Sequence, residues 1–223
     1  ARQTTSQKGK TVMTLTLTDR DLELLDVLTL RVRLLTLRQV TELWWPNGEN
    51  QRCARRRLEC LEAAKLIEIH RVNAHPLLPV KSPLFAWQPG DTEPDCEQLA
   101  ERCRERWNKP AVPMTVCVAS SLAANLLGST AYGVPHRDHR NHDLRLASVY
   151  AAYRLQRPQL AALWVGEHGL PKAGHRIKDP DAFLRSKDGR VVRVIESAGR
   201  YSEPQVQSFH DHCEANSLSY ELW

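Results

Sequence analysis

The chain opens, after a polar start, on helical spacing. In TDRDLELLDVLTLRVR the apolar residues Leu22, Leu25, Val27 and Leu28 predict one face of a helix. Thr18 is placed to cap it, and Asp19 and Asp21 fall in the first turn, where the helix dipole favours negative charge. LLTLRQVTELWW predicts a second, short helix. Thr36 is its cap, Leu37, Val40 and Leu43 face inward, and Pro46-Asn47-Gly48 stops it. In ENQRCARRRLECLEAAKLIEIHRV, Ala54, Leu58 and Leu61 recur at i, i+4 and i+7, which predicts a third helix. That seam must pack inward, leaving Arg52, Arg55, Arg56 and Glu59 opposite it and Arg57 on a flank. LIEIHRV then alternates like a strand, and SPLFAWQ reads as a second one, with the proline-rich NAHPLLPVK between them.

Three helices and a two-stranded hairpin, here over residues 15–90, follow the order of a winged helix-turn-helix. There the third helix enters a major groove and the hairpin tip touches backbone or minor groove. The expected partner is double-stranded DNA. Arg52, Arg55 and Arg56 can pair with phosphates or guanine edges, and Asn50 and Gln51 stand at the helix start, where base contacts originate. Thr36, Arg38 and Gln39 could hold a phosphate at the start of helix two. The wing would add Arg71, His75 and Lys81. The plain alternative is a basic helix face that is only solvated.

Charge supports this placement. The net charge is +5. Residues 1–90 hold 14 Lys plus Arg against 9 Asp plus Glu, and residues 91–223 hold 17 of each, so the whole excess lies in the first part. Residues 1–14 read as a disordered basic arm.

Residues 91–130 read as a connector. Cys96, Leu99, Cys103 and Trp107 make a narrow apolar stripe on an otherwise charged helix. It suits either the same helix of a second subunit, giving a homodimer, or the chain's own core. VPMTVCVASSLAANLLG fits a strand or a buried helix.

From residue 131 the order of elements is αβββαβ. NHDLRLASVYAAYRLQ is a helix with Asn141 as its cap; QLAALWVGE, KDPDAFLRS and RVVRVIES are strands; SEPQVQSFHDHCEAN is a helix capped by Ser202; SLSYELW is a closing strand. The expected class is therefore α+β or α/β: a winged helix followed by an αβββαβ domain.

That second order resembles the core of the PD-(D/E)xK nucleases. The resemblance implies a Mg²⁺ site whose metal would activate water for phosphodiester cleavage. Carried over, Asp181 of Pro180-Asp181 and Glu196 take the carboxylate, metal-binding places. Glu167 is a third candidate carboxylate. The lysine place falls on Ala198, which has no charge, so Lys178 or Arg193 would have to replace it. The departure favours a nuclease-like domain that has lost catalysis and needs no cofactor, with a Mg²⁺-dependent endonuclease as the alternative.

LTDRDLELLDVL, LLTLRQVTEL, ARRRLECLEAAKLIE, HDLRLASVYAAY and DPDAFL…VIES together resemble the replication-relaxation family of plasmids and other mobile elements. The resemblance implies a bacterial DNA-binding protein of replication, transfer or transcription regulation. A third reading is a module that docks a partner protein through the same helices.

Remaining features change the picture little. HRDHRNHD places His136, His139 and His142 at three-residue intervals, open to zinc, to a solvated loop or to DNA contact through Arg137 and Arg140. In HDHC, Cys213 must face inward, which disfavours a metal role. The six cysteines form no CxxC pair and read as reduced thiols of a cytoplasmic, nucleoid-associated protein. No run of about 18 apolar residues is present to span a membrane.

Overall fold

The computed structural model describes residues 15–46, 51–77, 80–106, 109–167 and 180–223. The basic arm, Asn47, Gly48, Asn50, Trp107 and Lys178 lie outside them. Helix α1 (Asp19–Asp26) starts as its sequence predicts: the Thr18 hydroxyl accepts from Asp21 N–H, and the Asp21 carboxylate accepts from Thr18 N–H. It runs on into a π-helical turn, Val27–Arg31. The inward face is Asp21, Leu24, Leu25 and Leu28. Leu22, expected inside, is 50% exposed. Buried Asp21 takes that side because Arg57 of the third helix binds it, Nε donating to Oδ1 at 2.9 Å.

Strand β1 (Leu34–Thr36) precedes α2 (Leu37–Trp44), which Thr36 caps. Helix α3 (Gln51–Ala63) buries Ala54, Leu58 and Leu61, the predicted seam. Strand β2 (Ile67–Ala74) follows.

The expected wing partner is wrong. Strand β3 (Phe85–Trp87), from SPLFAWQ, does not pair with β2; it hydrogen-bonds antiparallel to the last strand of the chain, Tyr220–Leu222. Trp87 is buried there, stacked on Tyr220 at 5.7 Å and edge-on to His210 at 5.1 Å. The partner of β2 is β4 (Val112–Ala119), from the segment left open between strand and helix. All eight residues of β2 pair with it, from Ile67↔Ala119 to Ala74↔Val112. A three-residue strand cannot offer that length of ladder. The first sheet is antiparallel, in the order β1-β4-β2.

The chain between β2 and β4 thus leaves the first sheet, supplies β3 and α4 (Cys96–Glu105), and returns. Among the described residues, the apolar stripe of α4 packs within the chain itself. Cys96, Leu99 and Cys103 are buried with Val206 and Cys213 of α8 (Glu203–Ala215).

After β4 come α5 (Ser121–Leu126), α6 (Arg137–Gln156), α7 (Pro158–Ala161), β5 (Trp164–Gly166), β6 (Ala182–Arg185), β7 (Val191–Glu196), α8 and β8 (Tyr220–Leu222). QLAALWVGE is therefore helical before it becomes a strand. The second sheet has the order β3-β8-β7-β6-β5, with β7 and β8 parallel and the other pairs antiparallel. HRDHRNHD is not a loop: α6 begins at Arg137, with the His136 ring as its cap, and Asn141 lies inside it.

Every residue of α6 from Asp143 to Tyr153 is buried. A helix covered on all sides needs no polar face. One side meets α2 and β1, where Ser148 Oγ accepts from Gln39 Nε2 at 3.0 Å. The other packs Tyr150 and Tyr153 edge-on to Trp164 of β5. One apolar cluster runs through α1, α2, α3, α6 and the second sheet.

Gly166 shows how tightly these parts meet. A Cβ there would lie 2.5 Å from the Arg31 carbonyl oxygen, which also accepts from Trp164 Nε1 at 3.0 Å. Because the obstacle is backbone, Gly166→Ala is expected to cost about 1–3 kcal/mol, measured by urea unfolding. A neutral result would mean that β5 moves freely against the turn.

Candidate nucleic-acid interface and carboxylate-lined cavity

The four arginines of α3 divide. Arg52, Arg55 and Arg56 are exposed. Arg57 is drawn inward to Asp21 and to the Thr16 carbonyl. Burial alone would raise the Asp21 carboxyl, but the Arg57 guanidinium and the Thr18 hydrogen bonds hold it below its ordinary value. Arg55 has an exposed i,i+4 contact with Glu59 at 3.8 Å. Such a pair contributes only about 0.3–0.5 kcal/mol, so it does not lock the side chain away from another anion.

Beside α3 lies a groove of about 480 Å³, lined among others by Arg38, Gln51, Arg55, Leu77, Met114 and Thr115. It joins the start of α2, the start of α3 and the far end of β4. Arg38 is exposed and loosely held by Glu42 at 2.7 Å. Arg71 and Lys81 are exposed.

Three expected contacts are corrected. Thr36 and Gln39 are buried; their side chains close the capping box of α2, and Gln39 also donates to Ser148. Neither is available to a phosphate. His75 is tied to its own chain, with its N–H donating to Asn141 Oδ1 at 2.8 Å and its ring bound to the Lys109 carbonyl.

A second concavity, about 680 Å³, opens between α6, α8 and one end of the second sheet. Sheet register places the carboxylates there: Asp181 immediately precedes β6, Glu196 closes the neighbouring β7, and Ala182 pairs with Ile195 between them. Glu167, just after β5, lines the same cavity. The motif positions taken from the nuclease resemblance do come together.

Their surroundings do not suit a metal. Asp181 Oδ2 accepts from Ser197 N–H at 2.6 Å and from His142 Nε2 at 2.9 Å. Glu196, fully buried, accepts from the Tyr201 hydroxyl. Among the described residues no group of three or more His, Cys, Asp or Glu side chains is placed to hold a metal ion. Among the described residues, the donors expected for Mg²⁺ at Asp181 and Glu196, and for zinc at His136, His139 and His142, are not gathered into a metal-binding group. Ala198 is buried, and its N–H donates to Trp223. Arg193 cannot replace the missing lysine, since it binds Glu221 at 2.6 Å.

His142 was missed as a counter-ion. Its Nδ1 lies 3.2 Å from Asp143 Oδ1 while Nε2 meets Asp181. Hydrogen bonds from both ring nitrogens to carboxylates require the imidazolium. Burial opposes that charge, but the two carboxylates override it and raise the pKa to about 11. The adjacent His142-Asp143 pair was visible in the sequence; the contact with Asp181 was not.

Glu221 was missed as well. This buried carboxylate accepts from Tyr153 Oη at 2.6 Å, Trp223 Nε1 at 2.9 Å, Arg157 at 3.2 Å and Arg193. Tyr153 is pushed well above its usual range, by burial first and the adjacent carboxylate second.

Comparison with protein-family models, curated proteins and solved structures returned no match to this chain.

Proposed function

We propose that this chain is a sequence-specific DNA-binding protein that reads a duplex through α3, in the manner of a winged helix. The observation that carries the reading is the exposed row Arg52, Arg55 and Arg56, set beside a groove on the outer side of α3 while its apolar seam is buried. The antiparallel order β1-β4-β2, with α2 and α3 between β1 and β2, supports it, since a winged helix uses that arrangement. Arg38 and Gln51 share the groove with Arg55, and Arg71 and Lys81 are further exposed cations. Transcription regulation and origin or transfer functions of a mobile element follow from the same physics, in line with the replication-relaxation resemblance.

The second sheet and its helices serve in this reading as a nuclease-like scaffold. Because β3 and α4 depart from between the two wing strands, that scaffold holds the wing at both ends. A homodimer no longer rests on α4, whose apolar stripe α8 covers. It rests instead on whether the bound site is a two-fold repeat.

The test is a fragment pull-down followed by fluorescence anisotropy of the recovered site across a salt series. Binding whose logarithm falls steeply and linearly with log salt, and exceeds that for scrambled duplex, is expected. The rival endonuclease is tested on supercoiled plasmid with Mg²⁺ or Mn²⁺: nicking lost in Asp181→Ala and Glu196→Ala would favour it. A protein-docking module predicts negligible DNA affinity at any salt.

A further inference from the structure

The groove beside α3 carries more apolar surface than a phosphate contact uses. Pro76, Leu77, Val112 and Met114 line it from the end of β2 and the start of β4. Val112 is exposed and the other three are half-buried, so this apolar wall is open to solvent. Surfaces that meet a duplex are, by contrast, polar and strongly cationic.

The same groove is lined by Arg38 of α2 and Arg55 of α3. Their side chains are 77% and 61% exposed, so both guanidinium groups are open to a ligand arriving from solvent. Each meets one carboxylate four residues along its own helix, Glu42 at 2.7 Å and Glu59 at 3.8 Å. Exposed pairs of that kind are weak and readily exchanged. Among the described residues no acidic side chain lines the groove itself. Gln51, the first residue of α3, and Thr115 add neutral hydrogen-bonding groups. The groove is also bordered by the starts of both helices, whose dipoles favour negative charge. Its volume of about 480 Å³ is that of a small-molecule site, about 300–1,000 Å³.

We propose that this groove binds a small organic anion with an apolar body. The body packs on Leu77, Val112 and Met114, and a carboxylate or phosphate monoester is met by Arg38 and Arg55. The unbranched chain of Met114 lets the wall adapt to the shape of the body. An occupied groove withdraws Arg55 from other anions, so the ligand competes with duplex DNA. That competition rests on α3 reading a duplex; the binding does not. The rival occupant is the duplex itself, with a backbone phosphate on the two arginines.

Calorimetry of the full chain at low salt separates these. The probes are naphthoate, naphthyl phosphate, naphthylmethanol, acetate and inorganic phosphate. A ringed anion is expected to bind about tenfold or more tightly than naphthylmethanol, which lacks the charge, and than acetate or inorganic phosphate, which lack the ring. The tighter of naphthoate and naphthyl phosphate identifies the head group. Arg38→Gln and Arg55→Gln should each weaken that anion about tenfold and leave naphthylmethanol unchanged. Val112→Asp, which sets a carboxylate on the apolar wall, should weaken it further. All three side chains are exposed, and far-ultraviolet circular dichroism checks the fold. Equal affinity for naphthoate and naphthylmethanol, or affinity that ignores both arginines, overturns the proposal. Inorganic phosphate binding as tightly as naphthyl phosphate, or no heat with either ringed anion, also overturns it and leaves the groove to the duplex backbone. In anisotropy the ringed anion should displace the recovered duplex at the concentrations that fill the groove; binding without displacement overturns the competition. Loss of duplex binding in the salt series would not touch the calorimetric result, so the two readings fail separately.

Discussion

Replacing Arg52, Arg55 and Arg56 together by alanine is expected to flatten the salt dependence of duplex binding by about three units of slope, one for each phosphate contact removed. If one of the three reads a guanine edge, its single variant should also lose about 1–3 kcal/mol on the true site and little on scrambled DNA. The fold should survive, because these side chains are exposed and the buried seam of α3 is Ala54, Leu58 and Leu61. Arg57 is the internal control. It belongs to the same helix but is bound to buried Asp21. Arg57→Ala should therefore lower stability, leaving an uncompensated buried carboxylate, while the slope stays where it was. An unchanged slope in the triple variant, or a reduced one in Arg57→Ala, would remove α3 from the interface. Anisotropy titrations at several salt concentrations, with thermal melts alongside, read both quantities.

The second large effect is expected at His142. Asp143 and Asp181 are both nearly inaccessible, and the imidazolium between them is their shared counter-charge. Removing one partner of such an arrangement costs about 3–5 kcal/mol, so His142→Ala should unfold at markedly lower urea. The pH dependence has a definite sign. The folded pKa of about 11 lies above the ordinary histidine value. The stabilisation is therefore full below about pH 6.5 and is lost progressively as pH rises toward 11. Between pH 7 and 8.5 the wild-type protein should lose at most about 1.4 kcal/mol per pH unit, a slope that His142→Ala lacks. The thiols of Cys96, Cys103, Cys117 and Cys213, all raised by burial, add a loss of the same sign as pH nears the unfolded thiol value of about 8.5, so the histidine contribution is read as the difference between wild type and His142→Ala. In the variant the two carboxyls face each other without a cation. Asp181→Asn added to His142→Ala should recover part of the loss. A wild-type curve that is flat over this interval would mean that His142 is neutral and that the bridge to Asp181 does not form in solution.

Much of the local structure is legible in the residues. The caps Thr18, Thr36 and Ser202 were readable because a cap depends on residues three apart. The seam of α3 was readable because helical periodicity places Ala54, Leu58 and Leu61 together without reference to anything else. The nuclease resemblance implied that Asp181 and Glu196 share one end of neighbouring strands, and the register of β6 with β7 puts them there.

The failures share a cause. SPLFAWQ has strand propensity, but propensity names no partner; Trp87 finds its apolar surroundings at Tyr220, more than a hundred residues later, not at β2. The stripe on α4 announces that something covers it, and only packing shows that this is α8. Thr36 and Gln39 looked like phosphate holders because a helix start attracts anions, yet α6 lies over Gln39. His142 was read with its sequence neighbours, although half its hydrogen bonding is to Asp181, thirty-nine residues on.

By itself the sequence determined helices α1, α2, α3 and α8, the caps of α1, α2 and α8, the inward side of α3, the basic excess in the first ninety residues and, α7 aside, the αβββαβ order of the remainder. All of these depend on spacing along the chain or on composition. Tertiary structure alone decided which strand completes the first sheet, which arginine of α3 is neutralised, and that Asp181 meets His142. Those outcomes are set by pairing between distant residues, where burial and charge compensation select one partner among several that local pattern allows.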